Sequence, residues 1–237
     1  MTVLFVTPLQ SELDCLAQSL HERGYSFTAM QVGRIATQHV PALDMIVAHG
    51  GHGKTQFGVQ TQHLLDHAND VEAVVCVGAA GALAPDLAVG DLVLATETVE
   101  HDYTERFSRH PLPRFAGDPA LLTSLRQLPL HTLPFGVHFG IVASGDEDVI
   151  ELERAAALRE ATEACAVAWE GAGGARACAF SRIPFVELRG ITDTADHNAP
   201  AAFVANLRAA MASAATLAAL WRATYHSSAQ LRRLIKE

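Results

Sequence analysis

The sequence has few of the residues that mark secreted, repetitive or multidomain proteins. It has four cysteines in 237 residues, none of them in a C-x-x-C pair and three of them inside apolar runs. This usage predicts reduced, mostly buried thiols and a cytoplasmic location. Internal repeats, low-complexity tracts and a recognisable interdomain linker are also missing, so residues 1–237 are predicted to form a single domain.

Positive charge is scarce as well. Seventeen Lys and Arg face 26 Asp and Glu, which gives a formal net charge of −9. Neither a nucleic acid nor an anionic membrane would attract such a chain, so both are excluded as predicted partners. A small nucleoside, which has no phosphate, remains compatible with this charge.

Long apolar segments are missing too. The start, "MTVLFVTPLQ", has no basic region and its apolar stretch is too short for a signal peptide. The Ala-rich segment 200–225 comes closest to a membrane span, but two arginines interrupt it. We therefore expect neither a signal peptide nor a membrane span.

Apolar residues, in contrast, make up 49% of the chain and charged residues 18%, which is enough for a large core. Six apolar runs without strict alternation are predicted to be strands covered on both faces. They are Thr2–Thr7, Asp44–Gly50, Ala73–Ala79, Asp91–Val99, Phe139–Gly145 and Pro184–Ile191. Helical patterns cover Ser11–Gly24, Lys54–Ala68, Ala157–Ser181 and Pro200–His226. This alternation predicts an α/β fold with a mainly parallel sheet and helices on both sides.

One long segment, Glu100–Ala120, differs from the rest of the chain. It is polar, charged and dotted with prolines, and it includes Tyr103, Phe107 and Phe115. A loop of this length inside a compact domain is usually a lid or an interface.

Three acidic residues stand in places that call for an explanation. Glu12 follows the first predicted strand, Glu170 has small or apolar neighbours, and Asp193 ends the apolar run in "VELRGITDTADHN". Glu12 could simply favour a helix dipole, and Asp193 could be the polar end of a strand. The neighbours of Glu170 favour a partly buried carboxylate with a hydrogen-bonding partner over a surface position.

Two Gly-rich turns follow predicted strands. The turn Gly78–Gly81 would let a ligand lie close to the backbone, although a tight turn explains it equally well. Neither this turn nor "HGGHGKT" has the spacing of a phosphate-binding loop.

Two histidine motifs carry weaker signals. His49 and His52 lack a third ligand nearby, so no metal site is predicted. His101 and Asp102 lack a nucleophile motif, and a hydrogen bond within the loop is the simpler interpretation.

In combination, three segments resemble a known family. "VGAAGALAPDLAVGDLVLATETVEHD", "GIVASGDEDVI" and "AVAWEGAGGARACAFSRIPFVELRGITDTAD" occur in the order seen in the nucleoside phosphorylase and nucleosidase superfamily. Within it, the chain is similar to the methylthioadenosine/S-adenosylhomocysteine nucleosidases. The resemblance implies a three-layer α/β fold with a central twisted mixed sheet, partly barrel-like and flanked by helices. It also implies a reaction without a metal or organic cofactor.

The resemblance assigns roles to the three acids. Asp193 matches the acid that protonates the purine leaving group, Glu12 the carboxylate that activates water, and Glu170 the acid that holds the ribose 2′ and 3′ hydroxyls. The remaining predicted contacts with the nucleoside are Leu9 near Glu12, the turn Ala79, Ala80 and Gly81 beside the ribose, Val149 at the base edge, Phe203 on the 5′ side, and Trp169, Asp148 and His52.

Several of these positions depart from the family pattern. Trp169 stands where methionine is common, Asp148 where an aromatic residue usually stacks on the base, and His52 where an aliphatic residue often borders the 5′ pocket. Ala168 replaces a frequent acid and Ala79 a frequent serine. The catalytic acids are thus retained while the specificity pockets become more polar.

The sequence therefore predicts an N-ribosyl hydrolase. Its substrate would be an adenine-type nucleoside such as methylthioadenosine or S-adenosylhomocysteine, cleaved to the free base and a ribose derivative.

A phosphorylase is the first alternative, but neither "TPLQSE" nor "GAAGAL" contains an arginine for phosphate, and Glu12 would repel that anion. A non-catalytic nucleoside-binding relative is the second alternative, although it would have little reason to keep all three acids.

The resemblance also implies a homodimer. The counterpart of the segment Glu100–Ala120 closes a neighbouring subunit's 5′ pocket in relatives. Glu105, Arg106 and Phe107 would then lie near the partner's site.

Overall fold

The computed structural model describes residues 2–107 and 110–234, with side chains described up to residue 225. The remaining residues of the predicted domain 1–237 lie outside this description. The strands are β1 (Thr2–Thr7), β2 (Thr28–Val32), β3 (Ile35–Val40), β4 (Met45–His49), β5 (Val71–Ala82), β6 (Leu92–Glu100), β7 (Arg114–Ala116), β8 (Val137–Ser144), β9 (Ala166–Ala168) and β10 (Phe185–Asp193). The helices are α1 (Gln10–Glu22), α2 (Lys54–His67), α3 (Pro119–Arg126), α4 (Leu152–Thr162), α5 (Gly171–Ser181) and α6 (Ala199–Leu234).

The strands form one mixed sheet that is partly closed into a barrel. Strands β10, β6, β8, β9 and β5 follow one another, and β10 pairs again with β5, which closes the ring. Strands β1, β4, β3 and β2 extend from β5 as an open sheet. This confirms the mixed, partly barrel-like fold with flanking helices. The mainly parallel sheet suggested by strand–helix alternation is too simple, because β6 runs antiparallel to β10 and β9 antiparallel to β5.

Helices cover both faces of the open sheet. On β1, Val3 and Phe5 belong to the apolar cluster that includes residues of α1 and α6, whereas Leu4 and Val6 belong to the cluster that includes residues of α2 and α5. Because successive residues of a strand point to opposite faces, a strand covered on both sides must be apolar throughout. This explains why the first predicted strand has no polar alternation.

All six predicted strands are present, with ends shifted by a few residues. The hairpin of β2 and β3 was not predicted; its strands are largely exposed, and it turns at Gly33 with a φ of +56°. Strand β7, which lies within the segment Glu100–Ala120 and pairs with β6, was not predicted either. Residues 108–109 of that segment lie outside the described residues.

The helix predicted over Ala157–Ser181 is wrong as a single element. Helix α4 ends where Glu163 adopts a left-handed φ of +62°, and α5 begins only at Gly171. Between them, the short strand β9 completes the barrel by pairing with β8 and β5. The tertiary pairing of β9 therefore outweighs the local helical pattern.

The terminal helix α6 packs on β10 and α1. Contrary to the expectation from the sequence, its segment Ala199–Tyr225 is long and apolar enough to cross a membrane by length and composition alone. Half of its most apolar window is buried inside the fold. A Cβ added to Gly190 of β10 would come within 2.9 Å of the carbonyl oxygen of Ala210, so strand and helix are in close contact. The apolar character of α6 thus matches its place in the core.

The four cysteines are free thiols. Cys76 and Cys178 are buried, while Cys15 and Cys165 are partly buried. Burial raises the pKa of Cys178 to about 12, which keeps this thiol protonated and unreactive at neutral pH.

Candidate active site

A cavity of about 390 Å³ lies where β1, β5 and β10 reach their carboxyl ends, between these strands, the residues after β8 and the start of α6. All twelve residues predicted from the sequence to contact a nucleoside line it. Ligands of α/β sheets generally bind at this edge, because the loops that follow parallel strands converge there.

Glu12 lies in the first turn of α1, immediately after β1, and its side chain is buried. Its Oε1 accepts a hydrogen bond from the backbone N–H of Ala79 at 2.7 Å, and its Oε2 accepts one from Leu9 at 2.8 Å. Burial and, to a smaller extent, the negative charge of Glu170 raise its pKa from 4.5 to about 7. A favourable interaction with the helix dipole is therefore not the whole explanation of Glu12, because its side chain is buried and its pKa lies near neutral pH.

Asp193 is the last residue of β10 and is 9% exposed. Its Oδ2 accepts a hydrogen bond from the Thr192 hydroxyl at 2.8 Å, and its Oδ1 accepts one from the Ala195 backbone at 3.0 Å. The adjacent strand places Gly81 beside it, and a Cβ on Gly81 would lie 2.8 Å from Oδ1. Glycine is required at that position for the carboxylate to keep its place.

Glu170 follows β9 and caps the start of α5, with only 4% of its surface exposed. Its Oε1 accepts a hydrogen bond from the backbone N–H of Gly53 at 3.2 Å, and its Oε2 accepts one from Arg189 at 3.4 Å. The predicted burial and hydrogen-bonding partner of this carboxylate are both present.

Arg189 is the main site residue that was not predicted from the sequence. It lies on β10, is 1% exposed and lines the cavity. Its Nε donates to Glu187 at 2.7 Å, and its Nη1 donates to the carbonyl oxygen of Ala79 at 3.2 Å. The available signal was the pair Glu187 and Arg189, two positions apart in an apolar strand, where side chains share one face. Two opposite charges on one face of a buried strand indicate an internal ion pair.

The last residues of β5 supply the floor of the cavity, and the turn predicted over Gly78–Gly81 is wrong because pairing with β10 keeps this stretch in the strand. Ala79, Ala80 and Gly81 all line the cavity, and their small side chains leave the backbone accessible. Strand β10 pairs with this stretch in parallel, with Gly190 opposite Ala79 and Asp193 opposite Gly81. These two pairs fix where the acid at the end of β10 meets the end of β5.

The segment after β8 forms another wall. Val149 is buried, whereas Asp148 is exposed and its carboxylate makes no hydrogen bond to any residue in the described part of the chain. The neighbouring Glu147 is held by Arg154 through two hydrogen bonds of 2.6 Å each. Phe203 contributes from α6.

His52 and Trp169 form an aromatic pair on the cavity wall. Their rings are stacked, with centroids 4.3 Å apart and planes inclined by 26°. The carbonyl oxygen of Trp169 accepts a hydrogen bond from Ser144 at 2.6 Å, which fixes its backbone. His52 lies between Gly51 and Gly53, which adopt φ values of +86° and +82° that favour glycine.

The cavity wall is strongly acidic. Among the described residues that line it, five carry a carboxylate and one carries a guanidinium. The carboxylates are Glu12, Glu147, Asp148, Glu170 and Asp193, and the guanidinium is Arg189.

The histidines of the weaker motifs do not gather into a second centre. His101 has a buried ring whose two nitrogens make no hydrogen bond within the described residues, so the predicted loop hydrogen bond of this histidine is wrong. Asp102 instead accepts a hydrogen bond from the Asp146 backbone at 2.9 Å and contacts the Lys54 ammonium group. Across the residues that the structure describes, no three His, Cys, Asp or Glu side chains are arranged to hold a metal ion.

Comparison with known proteins places this cavity in context. A family model described as the phosphorylase superfamily matches residues 2–222. A 5′-methylthioadenosine/S-adenosylhomocysteine nucleosidase of Geobacillus thermodenitrificans is 27% identical over 92% of this chain and 94% of its own length. An aminodeoxyfutalosine nucleosidase of Helicobacter pylori is 33% identical over 68% of this chain and 72% of its own length.

Solved structures agree with the sequence relatives. The nucleosidase of Neisseria meningitidis in complex with methylthio-immucillin-A superposes with a TM-score of 0.83 and 28% identity, over 94% of this chain and 99% of that one. These matches confirm the resemblance predicted from the three sequence segments. The chain belongs to the phosphorylase superfamily and, within it, is similar to the methylthioadenosine/S-adenosylhomocysteine nucleosidases.

Proposed function

We propose that this protein hydrolyses the N-glycosidic bond of an adenine-type nucleoside, such as methylthioadenosine or S-adenosylhomocysteine, to give the free base and a ribose derivative. The observation that carries the proposal is the meeting of Glu12, Glu170 and Asp193 at one cavity of nucleoside size. These acids are far apart in the chain, and burial gives one of them a pKa near neutrality. Relatives named as nucleosidases support the same reaction class.

Glu12 is the general base for water. Its pKa of about 7 means that a substantial fraction of Glu12 is ionised at neutral pH. The ionised carboxylate is also more basic than an ordinary glutamate, which helps it to take a proton from water. The hydrogen bonds from Leu9 and Ala79 hold the carboxylate in one orientation. A positioned base of this kind typically contributes about 10²–10⁴-fold to the rate.

Asp193 is the acid that delivers a proton to the departing base. Cleavage of the glycosidic bond leaves negative charge on the base, and a proton delivered to a ring nitrogen neutralises it. The Thr192 hydroxyl and the Ala195 N–H bind one carboxyl oxygen each and so fix the direction of that transfer.

Glu170 binds the ribose 2′ and 3′ hydroxyls and places negative charge near the developing oxocarbenium ion. Its bonds to Gly53 and Arg189 hold it at the cavity wall. Two carboxylates on opposite sides of a glycosidic bond and a third on the sugar hydroxyls are suited to hydrolysis without a metal.

Water rather than phosphate is the proposed nucleophile. Arg189 is the one Lys or Arg among the described residues that line the cavity, and its guanidinium is already bound to Glu187, Glu170 and the Ala79 carbonyl. A phosphate would therefore meet carboxylates without a free cation to offset their charge. Formation of ribose 1-phosphate derivatives when phosphate is supplied would contradict this choice.

The decisive experiment measures release of free base from methylthioadenosine, S-adenosylhomocysteine, adenosine and inosine by chromatography. Glu12→Gln and Asp193→Asn should each abolish turnover while the circular dichroism spectrum stays that of the wild type. Glu153→Gln is the matched control, because this exposed glutamate lies on α4, outside the cavity lining. Wild-type rates in either cavity variant would overturn the assigned roles.

We also propose that the protein acts as a homodimer in the cytoplasm. Phe107 is fully exposed and Tyr103 is 41% exposed in the segment after β6, which suits a contact with a second subunit. Glu105 and Arg106 are exposed beside them. Sedimentation that gives a monomer at micromolar concentration would refute the dimer.

The four free thiols favour a reducing compartment, which supports the proposed cytoplasmic location.

A further inference from the structure

Glu187 is a buried charge that the proposed reaction does not use. It lies on β10, two residues before Arg189, with none of its surface exposed, and it is not among the residues that line the cavity. Burying a carboxylate costs free energy unless a cation and hydrogen-bond donors compensate it. A well-packed apolar residue would serve the stability of such a strand at least as well, so the charge calls for another explanation.

Three groups enclose this carboxylate. Its Oε1 accepts a hydrogen bond from Nε of Arg189 at 2.7 Å, and its Oε2 accepts one from the Thr98 hydroxyl at 2.6 Å. Gly171, the first residue of α5, packs so closely that a Cβ there would clash with both oxygens. The carboxylate is therefore held in place by β6, by β10 and by the start of α5.

The hydrogen bond to Glu187 sets the direction of the Arg189 guanidinium. This group is a rigid plane, so a bond at Nε fixes where its two terminal nitrogens point. Nη1 donates to the carbonyl oxygen of Ala79 at 3.2 Å, and Nη2 donates to Oε2 of Glu170 at 3.4 Å. Glu187 thus orients an arginine that contacts the carboxylate proposed to bind the ribose.

The same guanidinium lies next to Glu12. A Cβ added to Gly78 would come within 2.5 Å of Nη1 of Arg189 and within 2.9 Å of Oε1 of Glu12, so the two side chains meet around this glycine. Burial and, less strongly, the charge of Glu170 raise the pKa of Glu12, whereas Arg189 lowers it. Cys76 lies 3.5 Å from Nη2, and burial raises the pKa of this thiol, so it adds no charge at neutral pH. An arginine without a counter-charge would stabilise ionised Glu12 more strongly and make it a weaker base.

We infer, on the basis of the proposed function, that Glu187 is a positioning residue that fixes the Arg189 guanidinium and offsets its charge, which leaves Glu12 basic enough to activate water. Glu187 lies outside the cavity lining, so it acts through Arg189 and not by contact with the nucleoside. Both effects require a carboxylate, which explains why an apolar strand carries a buried acid at this position.

The test compares the wild type with Glu187→Gln, which removes the charge and nearly keeps the shape, by release of adenine from methylthioadenosine between pH 5 and pH 9. A unit charge about 10 Å away shifts a pKa by about one unit at an effective dielectric constant of about 20. Removing a negative charge favours ionised Glu12, so the midpoint of the rise in kcat/KM should move about one pH unit lower. The plateau above that midpoint should fall severalfold, because the base is weaker.

Thr98→Val is the matched control, because it removes the other hydrogen bond to the same carboxylate and keeps its charge. Its midpoint should equal that of the wild type. A purely structural role for Glu187 would lower the rate of Glu187→Gln by the same factor at every pH and leave the midpoint in place, which would overturn the inference. An equal shift in Thr98→Val would overturn it too, since the shift would then not come from the lost charge.

A second measurement does not depend on turnover. Carbon NMR of protein labelled at the glutamate carboxyl carbons follows the ionisation of Glu12 directly, and its midpoint should again be about one pH unit lower in Glu187→Gln. If the wild type releases base from none of the nucleosides, the proposed function fails, and this titration still decides the inference: an unchanged midpoint overturns it. If Glu187→Gln does not fold, the wild-type spectrum decides. The Glu187 signal must stay that of a carboxylate while Glu12 titrates, and a protonated Glu187 would have no charge to offset that of Arg189, which would overturn the inference.

Discussion

Replacing Glu12 with glutamine is expected to stabilise the folded protein at high pH while it abolishes turnover. The carboxylate is buried, and its pKa is raised from 4.5 to about 7, chiefly by burial. A group whose pKa is higher in the folded state adds stability below pH 4.5, and that contribution is lost as the pH rises through about 7. Ionised Glu12 therefore opposes folding, and neutral glutamine does not.

The size of the effect follows from the pKa. A tenfold change in proton affinity is worth about 1.4 kcal/mol, so ionised Glu12 disfavours the folded state by about 3 kcal/mol. Glutamine has one oxygen for the two N–H donors of Leu9 and Ala79, and the lost hydrogen bond costs about 1 kcal/mol. The variant should thus be about 2 kcal/mol more stable than the wild type at pH 8.5.

The assay is urea unfolding followed by circular dichroism at pH 5 and pH 8.5, at one protein concentration. At pH 5, where Glu12 is largely protonated in the folded state, the variant and the wild type should have nearly equal stability. The difference between them should change by about 2.5 kcal/mol between the two pH values. Glu153→Gln, an exposed change of the same kind, should show no such pH dependence. A difference for Glu12→Gln that stays constant with pH would refute the assignment of a burial-raised pKa.

Three further predictions concern the same cavity. The kcat/KM of the wild type should rise as the pH increases through about 7, because Glu12 must be ionised to accept a proton, and a pH–rate profile without that rise would exclude it as the base. Arg189→Met should cost about 3–5 kcal/mol in urea unfolding, since Glu187 is then a fully buried charge without its cation; a loss below about 1 kcal/mol would show that the ion pair is dispensable. Gly81→Ala should lower kcat with little change in the melting temperature, because its Cβ would come within 2.8 Å of the Asp193 carboxylate, and unaltered kinetics would contradict that contact.

The sequence was sufficient for the strands that are apolar throughout and for the cavity residues that match a family pattern. Strands β1 and β10 are covered on both faces, so their composition alone reveals them. It was not sufficient where structure depends on distant partners. Strand β9 has three residues, too few for any period, and exists because β8 and β5 lie on either side of it. The hairpin of β2 and β3 is mostly exposed, so it lacks the apolar run that marks a buried strand.

Arg189 illustrates the corresponding limit for the site. The presence of an arginine in an apolar strand does not by itself predict a function. Its role depends on which acidic side chains the fold brings next to it. Glu187 is two residues away in sequence, but Glu170 reaches it only through the barrel, and Ala79 through pairing of β10 with β5. The His52–Trp169 stack arises in the same way, from two residues that lie far apart in the sequence.

The excess of acids around the cavity predicts which metabolites the protein does not cleave. Most purine ribosides in a cell are nucleotides and dinucleotide coenzymes with phosphates on the 5′ carbon. Two like charges about 4 Å apart repel by about 4 kcal/mol at the effective dielectric of a protein surface. Even with Asp193 acting as the proton donor, the carboxylates of the wall outnumber its one engaged guanidinium, so the cavity would reject these phosphorylated pools. A glycosidase with such a wall can operate among abundant adenine nucleotides without destroying them.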